Sequence, residues 1–284
     1  MKKRFISFFL LIVMLLGLFT GCSQTQTAEP MASEEIGNML PADKEYNILF
    51  IGNSYTFYND MPTVYFQTMA NACGYKVQVA TITKGAYTLE KFADPSDPYG
   101  QMVANALAKE GVYDYVIIQE QSVRPASNPA AFYEGAGQLV EMIRKTGAEP
   151  VLYATWGRQT GSDKLDELNM TNESMTWALA AAYATIGAEL QIPVCHAGIA
   201  FLDINTNTQI NLYNADKSHP SHLGSYLAAM TLLGGIFGVD PVKAPFQGPI
   251  TDAGDAALRK AAKVAVFETP VIEEQYMAAA AVDG

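Results

Sequence analysis

Positive charge is what this chain has least of. Its 284 residues carry 18 Lys and Arg against 29 Asp and Glu, a formal net charge of −11. Lys2, Lys3 and Arg4 stand at the extreme N-terminus, so the rest of the chain is more acidic still. Neutralising nucleic-acid phosphates takes clustered Lys and Arg, so no nucleic-acid partner is expected, and a substrate uncharged near its reacting bond is. Cysteine is scarce too. Beyond Cys22 only Cys73 and Cys195 remain, and both are expected to be small apolar core groups rather than a disulfide, although an exported compartment would permit one. The sequence has no internal repeat and no sign of a second domain.

One long apolar run is present, Phe5 to Phe19, preceded by the Lys2-Lys3-Arg4 triplet and followed by Thr20-Gly21-Cys22. A positive start, an apolar stretch and small residues mark a secretory signal, residues 1–21. The cysteine placed directly after them resembles a bacterial lipobox, which implies that Cys22 is lipidated and becomes the mature N-terminus. Acyl chains there would hold the protein on the outer face of the membrane, each buried methylene contributing about 0.8 kcal/mol. Residues 22–43 are small and polar and read as a tether. Residues 44–284 are of a size for one α/β domain.

That domain alternates short apolar runs with amphipathic ones. Strands are expected at Tyr46–Ile51, Lys76–Ile82, Tyr113–Ile118, Val151–Ala154 and Ile192–Cys195. Helices are expected over Pro62–Ala72, Tyr99–Lys109, Pro129–Lys145, Leu168–Leu190, Ser221–Phe237 and Asp252–Phe267. Asp60 stands as the N-cap of the first, with Pro62 in its first turn. Repeated βα units imply a parallel sheet covered on both faces, a three-layer, flavodoxin-like α/β/α sandwich of five strands.

The chemistry-bearing residues fall at strand ends, which in such a sheet open on one edge. Ser54 follows the first strand within Gly52-Asn53-Ser54, Gly85 follows the second and Gln119 the third. After the fifth comes Asp216-Lys217-Ser218-His219-Pro220-Ser221. Pro220 fixes the backbone beside His219, and Asp216 lies one turn away. A hydroxyl is a weak nucleophile; an imidazole can take its proton while a carboxylate fixes the tautomer. Ser54, His219 and Asp216 meet that need. His219 and His222 with Asp216 also suggest zinc, but His222 falls on a helical turn facing away, and no metal or other cofactor is expected. His196 reads as structural. Trp156 and Arg158, after the fourth strand, are candidates to line a sugar- or acyl-binding cleft.

In this order the blocks resemble those of SGNH (GDSL-like) hydrolases, in the branch that reads Gly-Asn-Ser. Gly52-Asn53-Ser54 matches the first block, Gly85 the second, and Asp216-x-x-His219 the last. The resemblance implies an oxyanion site made by the amides of Ser54 and Gly85 and by a side-chain amide of the third block. There the pattern departs: Gln119-Glu120-Gln121-Ser122 stands where Gly-x-Asn-Asp is usual. Some carbohydrate-esterase relatives carry Gln-Gly-Glu, which favours Gln119 as donor, with Gln121 the alternative.

Two classes of function follow. One is a lipid-anchored serine esterase removing small acyl groups, acetyl above all, from a carbohydrate or other small molecule outside the cytoplasm; acyl transfer would use the same residues. The other is a non-catalytic lipoprotein that binds a glycan or solute, since fold alone does not fix function. Keeping Ser, His and Asp together favours the enzyme. The anchor has its own test. Replacing Cys22 with Ala should release the protein from the membrane fraction or block processing, and an intact mass showing an unmodified N-terminus at another residue refutes it.

Overall fold

The computed structural model describes residues 40–268 except 42 and 247. The signal, Cys22 and nearly all of the tether lie outside the described residues. Inside the expected tether, Leu40 packs against the core and Pro41 accepts a hydrogen bond from the Tyr46 hydroxyl, so ordered packing begins just before residue 44.

β1 (Glu45–Gly52) leads through α1 (Ser54–Phe57) and a π-helical turn (Met61–Gln67) into α2 (Thr68–Ala72). β2 (Lys76–Thr83), α3 (Leu89–Ala93), α4 (Pro98–Ala106) and β3 (Tyr115–Ile118) follow. Next come α5 (Arg124–Ser127), α6 (Pro129–Arg144), β4 (Glu149–Ala154), α7 (Asp163–Leu168) and α8 (Asn172–Leu190). β5 (Val194–His196), α9 (Ala197–Asn207), α10 (His222–Phe237) and α11 (Asp252–Phe267) complete the order. The strands form one parallel sheet in the order β2-β1-β3-β4-β5. This is the flavodoxin-like arrangement expected from the sequence.

The strands are apolar throughout because both faces are covered. Along β1, Tyr46, Ile48 and Phe50 enter one core while Leu49 and Ile51 enter the other. Helices α9, α10 and α11 build the first core, and α3, α4 and α6 the second. β2 and β3 lie on opposite sides of β1, so the strand order reverses there, and the ends of β1 and β3 bound a crevice.

Several elements differ from the sequence expectation. The helix expected over 62–72 begins as a π-helical turn, and the Asp60 side chain does not cap it; Asn59 and Asp60 are both left-handed, φ 56° and 52°. That conformation turns the Asn59 amide toward the Pro220 carbonyl and the Ser225 hydroxyl, 3.0 and 2.9 Å away. The helix expected from 168 is interrupted at Asn169, φ 51°, and restarts at Asn172 behind a Thr171–Ser174 capping box. α9 has no counterpart in the sequence reading. Buried nearly all round, it shows no polar face to betray it. It sits so close to β4 that a Cβ on Gly198 would lie 2.2 Å from the Thr155 carbonyl oxygen. Cys195 is buried, Cys73 half-buried, and both thiols are free.

Phe50 sits in the middle of β1, fully buried and edge-on to Phe66 at 5.3 Å. Truncating it leaves a cavity beneath an inner strand of the sheet. Phe50→Ala should lower stability by about 3–5 kcal/mol, measured as a shift of the urea midpoint at constant slope.

Candidate active site

At the end of β1 the chain turns without a side chain. A Cβ on Gly52 would fall 2.4 Å from Thr56 Oγ1 and 2.8 Å from Gln119 Oε1. Asn53 then caps α1, its side chain accepting from the Tyr55 amide at 3.2 Å and donating to the Tyr87 carbonyl at 3.0 Å. Ser54 is thereby the first residue of α1, where an amide N–H has no acceptor within the helix and points outward.

His219 arrives from a different element than expected. After β5 the chain runs through α9 before reaching the loop that carries Asp216 and His219. That loop is held as a frame: the Asn214 amide donates to the His219 carbonyl at 2.9 Å, and the Asn214 side chain to Pro220 at 3.1 Å. Lys217 takes φ 57°. Asp216 Oδ1 accepts the amides of Ser218 and His219 at 3.1 and 3.0 Å, and Oδ2 meets His219 Nδ1 at 2.5 Å. His219 Nε2 stands 2.8 Å from Ser54 Oγ.

Charge fixes the direction of that relay. Partial burial pushes the Asp216 carboxyl up, but bonds from the His219 ring and from the amides of His219 and Ser218 outweigh it and hold the group below the usual carboxylate range. An ionised carboxylate can only accept, so Nδ1 donates and Nε2 is left to accept the Ser54 hydroxyl proton. Tyr58 lies flat on the imidazole, ring centroids 4.4 Å apart and 13° between planes.

Ser54 and His219 open into a cavity of about 420 Å³ that Gly85, Gln121, Ser122 and Arg158 also line. Of the two candidate amides, Gln121 reaches this cavity. Gln119 is fully buried: its Oε1 accepts from the Asn53 amide at 3.0 Å and the Thr56 hydroxyl at 2.8 Å, and its Nε2 is spent on the Glu120 carbonyl. Gln121 Oε1 caps α5 through the amides of Val123 and Arg124, at 3.0 and 3.1 Å. Gly85 does not have positive φ; its neighbour Ala86 does, at 60°. Trp156, expected in the cleft, is core. Its indole stacks on Phe201 at 3.9 Å and donates to the Ser218 carbonyl at 3.2 Å, so it supports the histidine loop from behind. His222 faces away, bonded to the Tyr65 hydroxyl at 2.9 Å. His196 is buried and pulled down to about 4 by that burial. Among the described residues no cluster of His, Cys, Asp and Glu could hold a metal ion.

No protein-family model matches the chain, and no curated protein does. Among solved structures, a protein from Slackia heliotrinireducens assigned to the SGNH hydrolases is 33% identical. That match covers 66% of this chain and 97% of the other, with a TM-score of 0.58. The chain belongs to the SGNH hydrolase family. A DUF4886 family protein from Bacteroides uniformis is 18% identical, with 78% of this chain and 95% of that one covered and a TM-score of 0.65. An acetyl-xylooligosaccharide esterase from Geobacillus is 15% identical, covering 66% and 92%, with a TM-score of 0.51. These last two share the fold.

As an SGNH hydrolase, the chain departs from its family at the third block, and there the structure adds Glu120, which the sequence reading passed over. Its carboxyl is fully buried under two site loops, accepting from the Gln121 amide at 2.5 Å and the Leu89 amide at 3.3 Å. Burial lifts it to about 7 against the pull of those amides and of Arg124. Tyr58 and Asn59 were also missed. Only its place three residues beyond Asn-Ser-Tyr distinguishes Tyr58, and nothing in its local sequence says that His219 will pack on it.

The Glu120 shift has a consequence for stability. A carboxyl whose folded pKa exceeds its unfolded value binds more protons when folded, so its contribution is full below about 4.5 and is lost as pH rises through about 7. His196 acts oppositely, its contribution present above about 6.5 and lost as pH falls through about 4. The difference between wild type and Glu120→Gln isolates the carboxyl. The variant should gain on wild type by about 3 kcal/mol from pH 4 to 8, measured by denaturation at a series of pH values, and parallel curves would refute the burial argument.

Proposed function

We propose that this SGNH hydrolase is a serine esterase that removes small acyl groups, acetyl above all, from a carbohydrate. We also propose that it works outside the cytoplasm, anchored through Cys22. The observation that carries the catalytic part is the unbroken line from Asp216 through His219 to Ser54, at 2.5 and 2.8 Å. Ser54 Oγ attacks the ester carbonyl while His219 Nε2 takes its proton and Asp216 holds the imidazolium that forms. The oxyanion is received by the amides of Ser54 and Gly85 and by the side-chain amide of Gln121, the glutamine that reaches the cavity. His219 returns its proton to the leaving alcohol, and a water activated by the same ring releases the acid from Ser54.

The small-acyl reading rests on the family resemblance, and the carbohydrate on the exported location read in the sequence. The acetyl-xylooligosaccharide esterase of the same fold is consistent with both.

Purified protein should hydrolyse p-nitrophenyl acetate best and longer acyl chains progressively less well. Ser54→Ala and His219→Gln should each remove nearly all turnover, about five powers of ten or more, because triad members fail as a unit. Asp216→Asn should cost less, and His222→Gln less than about tenfold. A Ser54→Ala protein that keeps a tenth of wild-type activity rules the nucleophile out, and activity removed by a chelator would point to metal chemistry instead.

A further inference from the structure

Arg158 is the feature that the proposed reaction leaves unused. It projects from the loop after β4 into the cavity that holds Ser54 and His219. Its backbone is fastened: the amide contacts Met175 Sδ at 3.4 Å, and the carbonyl accepts from Asn172 at 2.7 Å. Its guanidinium lies over the Tyr55 ring, 5.6 Å from the centroid, and donates through Nη2 to Ser122 Oγ at 2.8 Å.

What it lacks is a counter-charge. The other site-proximal arginine, Arg124, is paired with Glu90, and Arg259 with Asp255. Among the described residues no carboxylate pairs with Arg158, and its Nε is buried without an acceptor. No Asp or Glu lines the cavity either, so Arg158 is its one residue of fixed charge. A half-buried guanidinium that opens on a cavity with no anion beside it is free to take a ligand of opposite charge. The planar fork matches a carboxylate, which can take two of its N–H groups at once.

We infer that Arg158 receives a carboxylate on the substrate, so that the esters this enzyme prefers carry an acidic group beside the reacting bond. This rests on the esterase reading and narrows its substrate class. It departs from the neutral substrate that net charge alone suggests. Two sources share the chemistry: a diacid on the acyl side, or an acylated uronic acid on the alcohol side.

The test pairs acidic and neutral esters of similar size. Mono-p-nitrophenyl succinate is set against p-nitrophenyl butyrate, and an O-acetylated methyl galacturonide against the corresponding galactoside. In one of the pairs wild-type kcat/KM should favour the acidic ester by about tenfold or more. Arg158→Gln should lower the acidic ester's kcat/KM about tenfold more than the neutral one's, and Arg158→Lys should restore part of the preference. The pair that responds identifies the side of the ester. Equal losses on both members, or no preference in either pair, overturn the inference and leave Arg158 a support for Ser122.

Binding separates this failure from that of the esterase. Succinate, galacturonate and galactose are titrated into Ser54→Ala protein, with and without Arg158→Gln. Carboxylate binding that depends on Arg158, in a protein without esterase activity, sinks the reaction and keeps the anion site. Turnover through Ser54 with neither charge preference nor carboxylate binding does the reverse.

Discussion

The Gln119 side-chain oxygen, buried between the ends of β1 and β3, takes hydrogen bonds from the Asn53 amide and the Thr56 hydroxyl. Much of the site follows from that contact. It fills the space where a Cβ at residue 52 would go, so the strand must end in glycine. It also ties the first turn of α1 to the neighbouring strand, which sets where Ser54 can stand. A buried amide of this kind is costly unless every polar atom is matched. With its Nε2 satisfied by Glu120, Gln119 is matched and therefore structural. The third block then offers its next amide, Gln121, to the cavity. One residue makes the crevice rigid, and the one two places later faces what enters it.

The histidine is positioned by a second, independent set of constraints. Pro220 fixes its neighbour's backbone, Asn214 closes the loop across His219, and Trp156 supports Ser218 from the core. Asn59, reaching from the turn after α1, bonds the Pro220 carbonyl. The segment that carries Ser54 and the loop that carries His219 are therefore joined directly as well as through the sheet. Tyr58, on the same turn, covers the imidazole face. A ring clamped between a carboxylate and an aromatic face has little freedom to leave Ser54, which is the preorganisation that general-base catalysis needs.

The sheet was legible in the sequence because its strands are buried on both sides. Runs such as Tyr46–Ile51 are short and apolar, as strands covered on both faces are, and the amphipathic pattern over Pro129–Lys145 marks its helix. The hydrogen-bonded line of Asp216, His219 and Ser54 was legible because a proline and a carboxylate stand at fixed steps from His219. What escaped reading depends on long-range packing. α9 has no polar face, so its sequence carries no period. Gln119 and Gln121 are two residues apart, which strand alternation would put on one side, and only the long-range contacts of Gln119 with Asn53 and Thr56 show which one turns inward. Trp156 and Arg158, two residues apart after β4, looked like a single cleft-lining pair, and strand alternation would put both on one side; the chain has already left the strand there, at a Gly157 packed against the Asn172 carbonyl. One became core and the other cavity wall.

The same division between core and cavity wall bears on charge. Summed over the chain, acidic residues dominate, and a substrate approaching from afar meets a repulsive field if it is anionic. That field is screened within about 10 Å at moderate salt, whereas a group inside the cavity meets the residues that line it. There Asp216 is turned to the back of His219 and Glu120 is sealed beneath the loops. Arg158 alone presents a fixed charge inward. Net charge constrains which macromolecules can associate with the surface; inside the cavity the fixed charge is a single side chain that the sum conceals.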